Sequence, residues 1–274
     1  MPSWPLPTEP AAADRLRPLA ADEQGGGGAV VLLHGQPGDR HDWDAVVAVL
    51  DSRVRTIVPD RPGYGRTGGR AGGPAANAEA VVDLLTRRRV DRAVIVGHSW
   101  GGAVALEVAL RHPDRVSALV LVSSVGGPGS TGTLDRLLGV PLLGPALSLG
   151  GLALLRAARV RRLLAPGFAP ALPAALEALP DGWLASWPAF VAEQRALLRE
   201  LPGITRRLAD VEVPVAVLVG TADRVVPPAS QAALAARLAR AEVVRAPGCG
   251  HLLPREAPQL VADTIVRMGG PPVP

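Results

Sequence analysis

Short, largely apolar runs recur along the chain, each closing on a glycine, proline or polar turn, and they constrain the fold more than any other feature. Val30–Leu33, Val54–Val58, Arg92–Val96 and Val116–Val122 read as strands, as do Val213–Val219 and, more briefly, Val243–Arg245. A strand that is apolar at every position needs cover on both faces, which is the condition inside a parallel sheet. Helical segments lie between them. Trp43–Leu50 has helical spacing, Ala75–Arg89 places Ala80, Val81, Leu84 and Leu85 on one stripe, and Ala103–Leu110 closes at His112-Pro113. Ser230–Arg240 and Pro258–Met268 follow in the second half, the latter with proline at its start. Strand–helix alternation of this kind predicts an α/β fold with a mostly parallel, doubly wound sheet.

The alternation breaks over residues 126–206, which are rich in Leu, Ala, Arg, Pro and Gly and contain no clear strand. That segment is expected as a helical lid inserted in a core formed by residues 29–125 and 207–270. Residues 1–28 are expected as an N-terminal extension carrying at most one edge strand. Within the lid, Leu137–Leu155 is uncharged and close to membrane-spanning length, but its glycines and prolines suit short buried helices better than a span. Membrane contact is therefore not expected.

With 48% hydrophobic and 20% charged residues the chain belongs with globular proteins. All 29 basic residues are arginine, and they are scattered without a nucleic-acid-binding motif, so no nucleic-acid partner is expected. The single cysteine, Cys249, excludes an intramolecular disulfide. The N-terminus lacks the basic and apolar regions of a signal peptide, and a cytoplasmic location is expected.

The chemistry centres on Gly97-His98-Ser99-Trp100-Gly101, a G-x-S-x-G motif between a predicted strand and a predicted helix. A sharp turn there projects a serine hydroxyl above the sheet edge, over a helix N-terminus. A serine hydroxyl needs a base. Of the five histidines, His34 reads as structural, His41 lies in a polar loop, His98 points away on the strained turn and His112 ends a helix. His251, in a glycine-bearing loop after the last strand, is the candidate base. Asp223, at the C-terminal end of the Val213–Val219 strand, is the candidate acid that orients it. Two backbone N–H groups should form an oxyanion hole: that of Trp100 and that of Gln36, in the loop after His34-Gly35. The Gln36 side chain either contacts a leaving group or faces solvent.

These residues resemble the α/β-hydrolase superfamily, in its lid-bearing branch of esterases, C–C hydrolases, dehalogenases and epoxide hydrolases. The resemblance is carried by His34-Gly35-Gln36-Pro37-Gly38, Asp60-Arg61-Pro62-Gly63-Tyr64-Gly65-Arg66-Thr67, Gly97 to Gly102, Gly220-Thr221-Ala222-Asp223-Arg224 and Gly250-His251. It covers residues 29–268, and the order Ser, Asp, His is the one this fold implies. It also implies neither dehalogenase nor epoxide hydrolase chemistry, since those branches use aspartate where Ser99 stands. Prolyl aminopeptidases are similar at Ser99-Trp100-Gly101 and need lid acids for the substrate amine, a role open to Glu177, Asp181, Glu193 and Glu200. In the lid, Phe168, Trp183, Trp187 and Phe190 are candidates for an apolar substrate wall.

The expectation is a serine hydrolase acting on a carboxylic ester of a small to medium, largely apolar molecule through an acyl-enzyme. C–C bond, lactone or amide hydrolysis and acyl transfer are the alternatives, and a non-catalytic ligand receptor is the remote one. No metal and no cofactor are expected, and the oligomeric state is left open.

Overall fold

The computed structural model describes residues 17–50, 54–140 and 187–269. Its centre is a seven-stranded sheet. The strands are β1 (Ala21–Gln24), β2 (Ala29–Leu33), β3 (Arg55–Pro59), β4 (Ala93–His98), β5 (Val116–Val122), β6 (Val215–Gly220) and β7 (Ala241–Ala246). Their spatial order is β1-β3-β2-β4-β5-β6-β7. Only the β1–β3 pairing is antiparallel, with Ala21 opposite Pro59, so the sheet is mostly parallel with one reversed edge strand.

Between the strands run α1 (Asp44–Val49), α2 (Pro74–Arg87), α3 (Trp100–Arg111), α4 (Thr133–Gly139), α5 (Trp187–Arg206), α6 (Pro228–Ala235), α7 (Leu253–Glu256) and α8 (Pro258–Gly269). Alternate strand residues feed two separate cores. Val31, Leu33, Ile95, Leu119, Leu121, Val217 and Val219 pack under α2, α3 and the C-terminal half of α5. Val30, Leu32, Val94, Val96, Val120, Ala216 and Leu218 pack under α1, α7 and α8. Burial on both faces explains why these strands are apolar at successive positions. Helix α3 is buried along its length from Trp100 to Leu110, and Leu197, Leu201 and Ile204 of α5 enter the same core as α3.

Element ends differ from the sequence expectation where tertiary contacts decide them. Strand β4 runs on to His98 and α3 begins at Trp100, three residues before the expected Ala103. The glycines of this turn are required by close packing. A Cβ on Gly101 would stand 2.5 Å from the Leu33 carbonyl oxygen and 2.6 Å from that of His34. Helix α6 starts early, with Pro228 at its first position, and ends at Ala235 instead of Arg240. Leu238 turns into the core there, and the chain must reach the edge strand at Ala241. Strand β7 is correspondingly longer than Val243–Arg245.

Within 126–206 the described parts are α4 and α5, tied by Gln194 Nε2 donating to Asp135 Oδ1 at 3.1 Å. Residues 141–186, which include most of the apolar run, Phe168, Trp183, Glu177 and Asp181, lie outside the described residues. Among the described residues no helix is long and apolar enough to cross a membrane.

Candidate active site

Ser99 occupies the turn between β4 and α3 with φ 52° and ψ −117°, a left-handed conformation that costs a non-glycine residue on the order of 1–3 kcal/mol. The surroundings hold it there. Ser99 N donates to Val122 O at 3.0 Å, and Ser99 O accepts from Gly102 N at 3.0 Å and Val125 N at 3.2 Å. The flanking glycines let the strand and helix meet, since a Cβ on Gly97 would stand 2.6 Å from both Gly101 C and Gly102 Cα.

The side chains selected from sequence come together. His251 Nε2 lies 3.0 Å from Ser99 Oγ, and His251 Nδ1 lies 2.9 Å from Asp223 Oδ2. A carboxylate only accepts, so Nδ1 carries the proton and the bare Nε2 accepts from the serine hydroxyl. Asp223 receives three further donors: Val225 N at 2.8 Å and Val226 N at 2.9 Å on Oδ1, and Gln231 Nε2 at 3.2 Å on Oδ2. Burial alone would raise the Asp223 carboxyl, but the bonds to His251 and to these two N–H groups hold it below its ordinary value and keep it ionised.

The loops carrying acid and base are stitched to each other. Thr221 N donates to Ala246 O at 3.1 Å, Ala222 N to Cys249 O at 2.9 Å and Gly248 N to Thr221 Oγ1 at 2.8 Å. Glu256 takes the two N–H groups flanking the histidine, Gly250 N at 2.5 Å and Leu252 N at 3.0 Å. From beneath, His98 Nε2 donates to the carbonyl of His251 at 2.9 Å. His98 thus anchors the main chain of the candidate base. Burial, then the nearby His251 charge, lowers its pKa to about 3, so it stays neutral. Cys249 is half-buried against the α1/α8 core, with its Sγ 3.8 Å from Pro247 O.

Trp100 N is at the first position of α3, where a helix leaves its N–H without an intrahelical acceptor. The loop bearing Gln36 lies alongside, because a Cβ on Gly35 would stand 3.2 Å from Ser99 Cβ. Trp100 thus follows the serine directly, and Gly35, the residue before Gln36, packs against it. The Gln36 side chain is half-buried. Its Nε2 donates to Phe190 O at 2.9 Å in the first turn of α5, tying this loop to that helix. Trp187 and Phe190 are both half-buried, three residues apart on α5.

Two of the acids left open for a substrate amine are engaged within the protein. Glu193 is fully buried and paired with Arg61 through both carboxylate oxygens, and it accepts from Tyr64 Oη at 2.7 Å. Glu200 accepts from Ala75 N at 2.9 Å and occupies the N-terminus of α2. Neither is available to a substrate amine. In sequence, Asp60-Arg61 carries only the family resemblance. Arg61 in fact lies 1% exposed beneath the candidate oxyanion loop. Among the described residues no group of three or more His, Cys, Asp or Glu side chains is arranged to hold a metal ion.

A sequence model described as "Alpha/beta hydrolase family" matches residues 30–264. An uncharacterised protein of Mycobacterium tuberculosis is 37% identical over 127 residues, 46% of this chain and 37% of that protein. The pimeloyl-[acyl-carrier protein] methyl ester esterase of Klebsiella pneumoniae is 41% identical over 95 residues, 35% of this chain and 36% of that protein. The matches thus span less than two-fifths of these curated relatives. In structure, the chain is similar to a thermophilic esterase from Thermogutta terrifontis, with a TM-score of 0.69 at 26% identity, over 91% of this chain and 92% of that one.

Proposed function

The chain belongs to the alpha/beta hydrolase family, and from that premise we propose that it is a serine hydrolase cleaving a carboxylic ester of a small to medium, largely apolar molecule. The observation that carries this reading is the continuous relay from Ser99 Oγ through His251 to Asp223, at 3.0 and 2.9 Å, on a serine held in a strained turn.

Ser99 Oγ attacks the ester carbonyl while His251 Nε2 takes its proton. The carbonyl π electrons move to oxygen, and the Trp100 and Gln36 N–H groups receive the oxyanion. Collapse breaks the bond to the alkoxy group, which leaves as alcohol with the proton from His251. Water then gives a proton to His251 and attacks the acyl-enzyme. The second tetrahedral intermediate expels Ser99 Oγ, which regains its proton from His251, and the acid leaves. Asp223 holds the imidazole in the required tautomer and stabilises its protonated form throughout. No step calls on a metal or an organic cofactor.

The apolar substrate class is supported by Trp187 and Phe190 at the start of α5, beside the Gln36 loop. The engagement of Glu193 and Glu200 in internal bonds weighs against the aminopeptidase alternative. Lactone, C–C bond and other amide hydrolysis, and acyl transfer, would use the same relay.

Hydrolysis of p-nitrophenyl esters from acetate to palmitate by wild type and Ser99→Ala tests the reading. Removing the nucleophile of such a relay lowers kcat by on the order of 10⁶. Ester turnover that disappears with Ser99 is the expected result. Equal turnover by the variant overturns it, and binding of esters without turnover by the wild type favours the receptor alternative.

A further inference from the structure

The peptide unit joining Gly35 to Gln36 presents its N–H as one of the two proposed oxyanion donors, and its carbonyl end is unusually well held. Gly35 O accepts from Arg61 Nη2 at 2.8 Å and from His34 Nδ1 at 2.9 Å. His34 is a donor at Nδ1 because its Nε2 accepts from Arg61 N at 2.9 Å. A peptide unit is planar, so fixing the oxygen fixes the direction of the N–H. Donation from a guanidinium also polarises the amide and strengthens its N–H as a donor.

The same arginine reaches the other half of the hole. Arg61 Nε donates to His34 O at 3.0 Å, and its Cζ stands 4.3 Å from the ring centroid of Trp100, whose main chain supplies the second donor. A buried guanidinium is expensive without a counter-charge. Glu193, from α5, provides it through both oxygens, and Tyr64 fills a remaining acceptor position. Helix α5 is joined to the Gln36 loop a second time through the Gln36–Phe190 bond.

We propose that Arg61 is a positioning residue for the oxyanion donor at Gln36 N, and that Glu193 holds it in place so that the seating of α5 sets the alignment of that donor. The inference rests on the acyl-enzyme reading above.

Two variants test it. Arg61→Met/Glu193→Leu removes both charges together; replacing a buried ion pair by apolar residues of similar size is often neutral or stabilising, so the fold is expected to survive. Glu193→Gln keeps volume and hydrogen-bonding reach but loses the counter-charge. The measurements are thermal unfolding, kcat and KM for p-nitrophenyl butyrate, and the Kd of butylboronic acid, which forms a tetrahedral adduct on a reactive serine. Removal of one oxyanion donor costs about 10²–10³ in kcat, and misalignment costs less. The double variant should therefore lose about 10–100-fold in kcat, with boronate affinity falling in proportion and KM within about threefold of wild type, while the loss of the acceptor of Tyr64 Oη and of the donors to His34 O and Gly35 O lowers the unfolding temperature by several degrees without unfolding the chain. Glu193→Gln should lose about 3–10-fold with the same split. A folded double variant with wild-type kcat and boronate affinity overturns this inference alone. So does a loss that appears in KM or thermal stability without weakening the boronate. A wild type that neither turns over esters nor binds the boronate removes the acyl-enzyme reading, and this inference with it.

Discussion

Replacing Asp223 with asparagine separates the orientation of His251 from the presence of a side chain of that shape. Asp223 accepts four bonds, two from main-chain N–H groups on Oδ1 and two from His251 and Gln231 on Oδ2. Asparagine has one oxygen. If it stays on the Val225 and Val226 N–H groups, the new NH₂ faces His251 Nδ1 and Gln231 Nε2, donor against donor. The imidazole then shifts its proton to Nε2 and becomes a donor toward Ser99 rather than an acceptor. In serine proteases with this relay, the same change lowers kcat about 10⁴-fold, or about 5.4 kcal/mol at about 1.36 kcal/mol per factor of ten. Stability suffers less. Gln231 can rotate to offer Oε1, which has no partner in the native fold, but Val226 O then loses the donor it has at 2.9 Å. One unmet buried group costs about 1–3 kcal/mol, a fall of several degrees for a domain of this size. Ester turnover and thermal unfolding of the variant measure the two effects separately. A variant that keeps more than a tenth of wild-type kcat would show that His251 does not depend on Asp223, and the proposed relay would fail.

Two other perturbations follow from the same contacts. Gly101→Ala places a methyl group 2.5–2.6 Å from two main-chain oxygens that belong to β2 and its exit loop; overpacking of this kind costs about 1–3 kcal/mol, and an unfolding temperature within one degree of wild type would refute the packing argument. Burial, opposed by Arg255 and reinforced by Asp39, lifts the Asp42 carboxyl from its ordinary 3.8 to about 6. The folded state therefore binds that proton more tightly, and the stabilisation is complete below 3.8 and lost as pH rises through about 6. At about 1.36 kcal/mol per pH unit the loss is at most about 3 kcal/mol. Urea unfolding of wild type and Asp42→Asn at pH 4 and pH 7 should show the wild type losing its advantage at the higher pH; a difference that stays constant contradicts the assignment.

Much of the framework was legible in local pattern. The apolar runs of β2, β4, β5 and β6 announce burial on both faces, and glycines around Ser99 announce a turn too tight for side chains. That Ser99, Asp223 and His251 lie together was legible because a parallel sheet gathers the C-terminal ends of its strands on one edge, so position after a strand already implies proximity.

What the sequence could not decide was which distant partner satisfies each buried polar group. Arg61 and Glu193 are separated by 132 positions, and Gln36 and Phe190 by 154. In sequence Arg61 is one arginine in a glycine-rich loop and Glu193 one of four acids open to a substrate amine, and nothing local pairs them. Only the packing of α5 against the body removes water from them, and removal of water is what turns a surface charge into one that must find its counter-charge. The ends of α3 and α6 belong with these contacts. Local propensity sets where a helix can run, while the main-chain oxygens beside Gly101 and the core around Leu238 set where these two begin and stop.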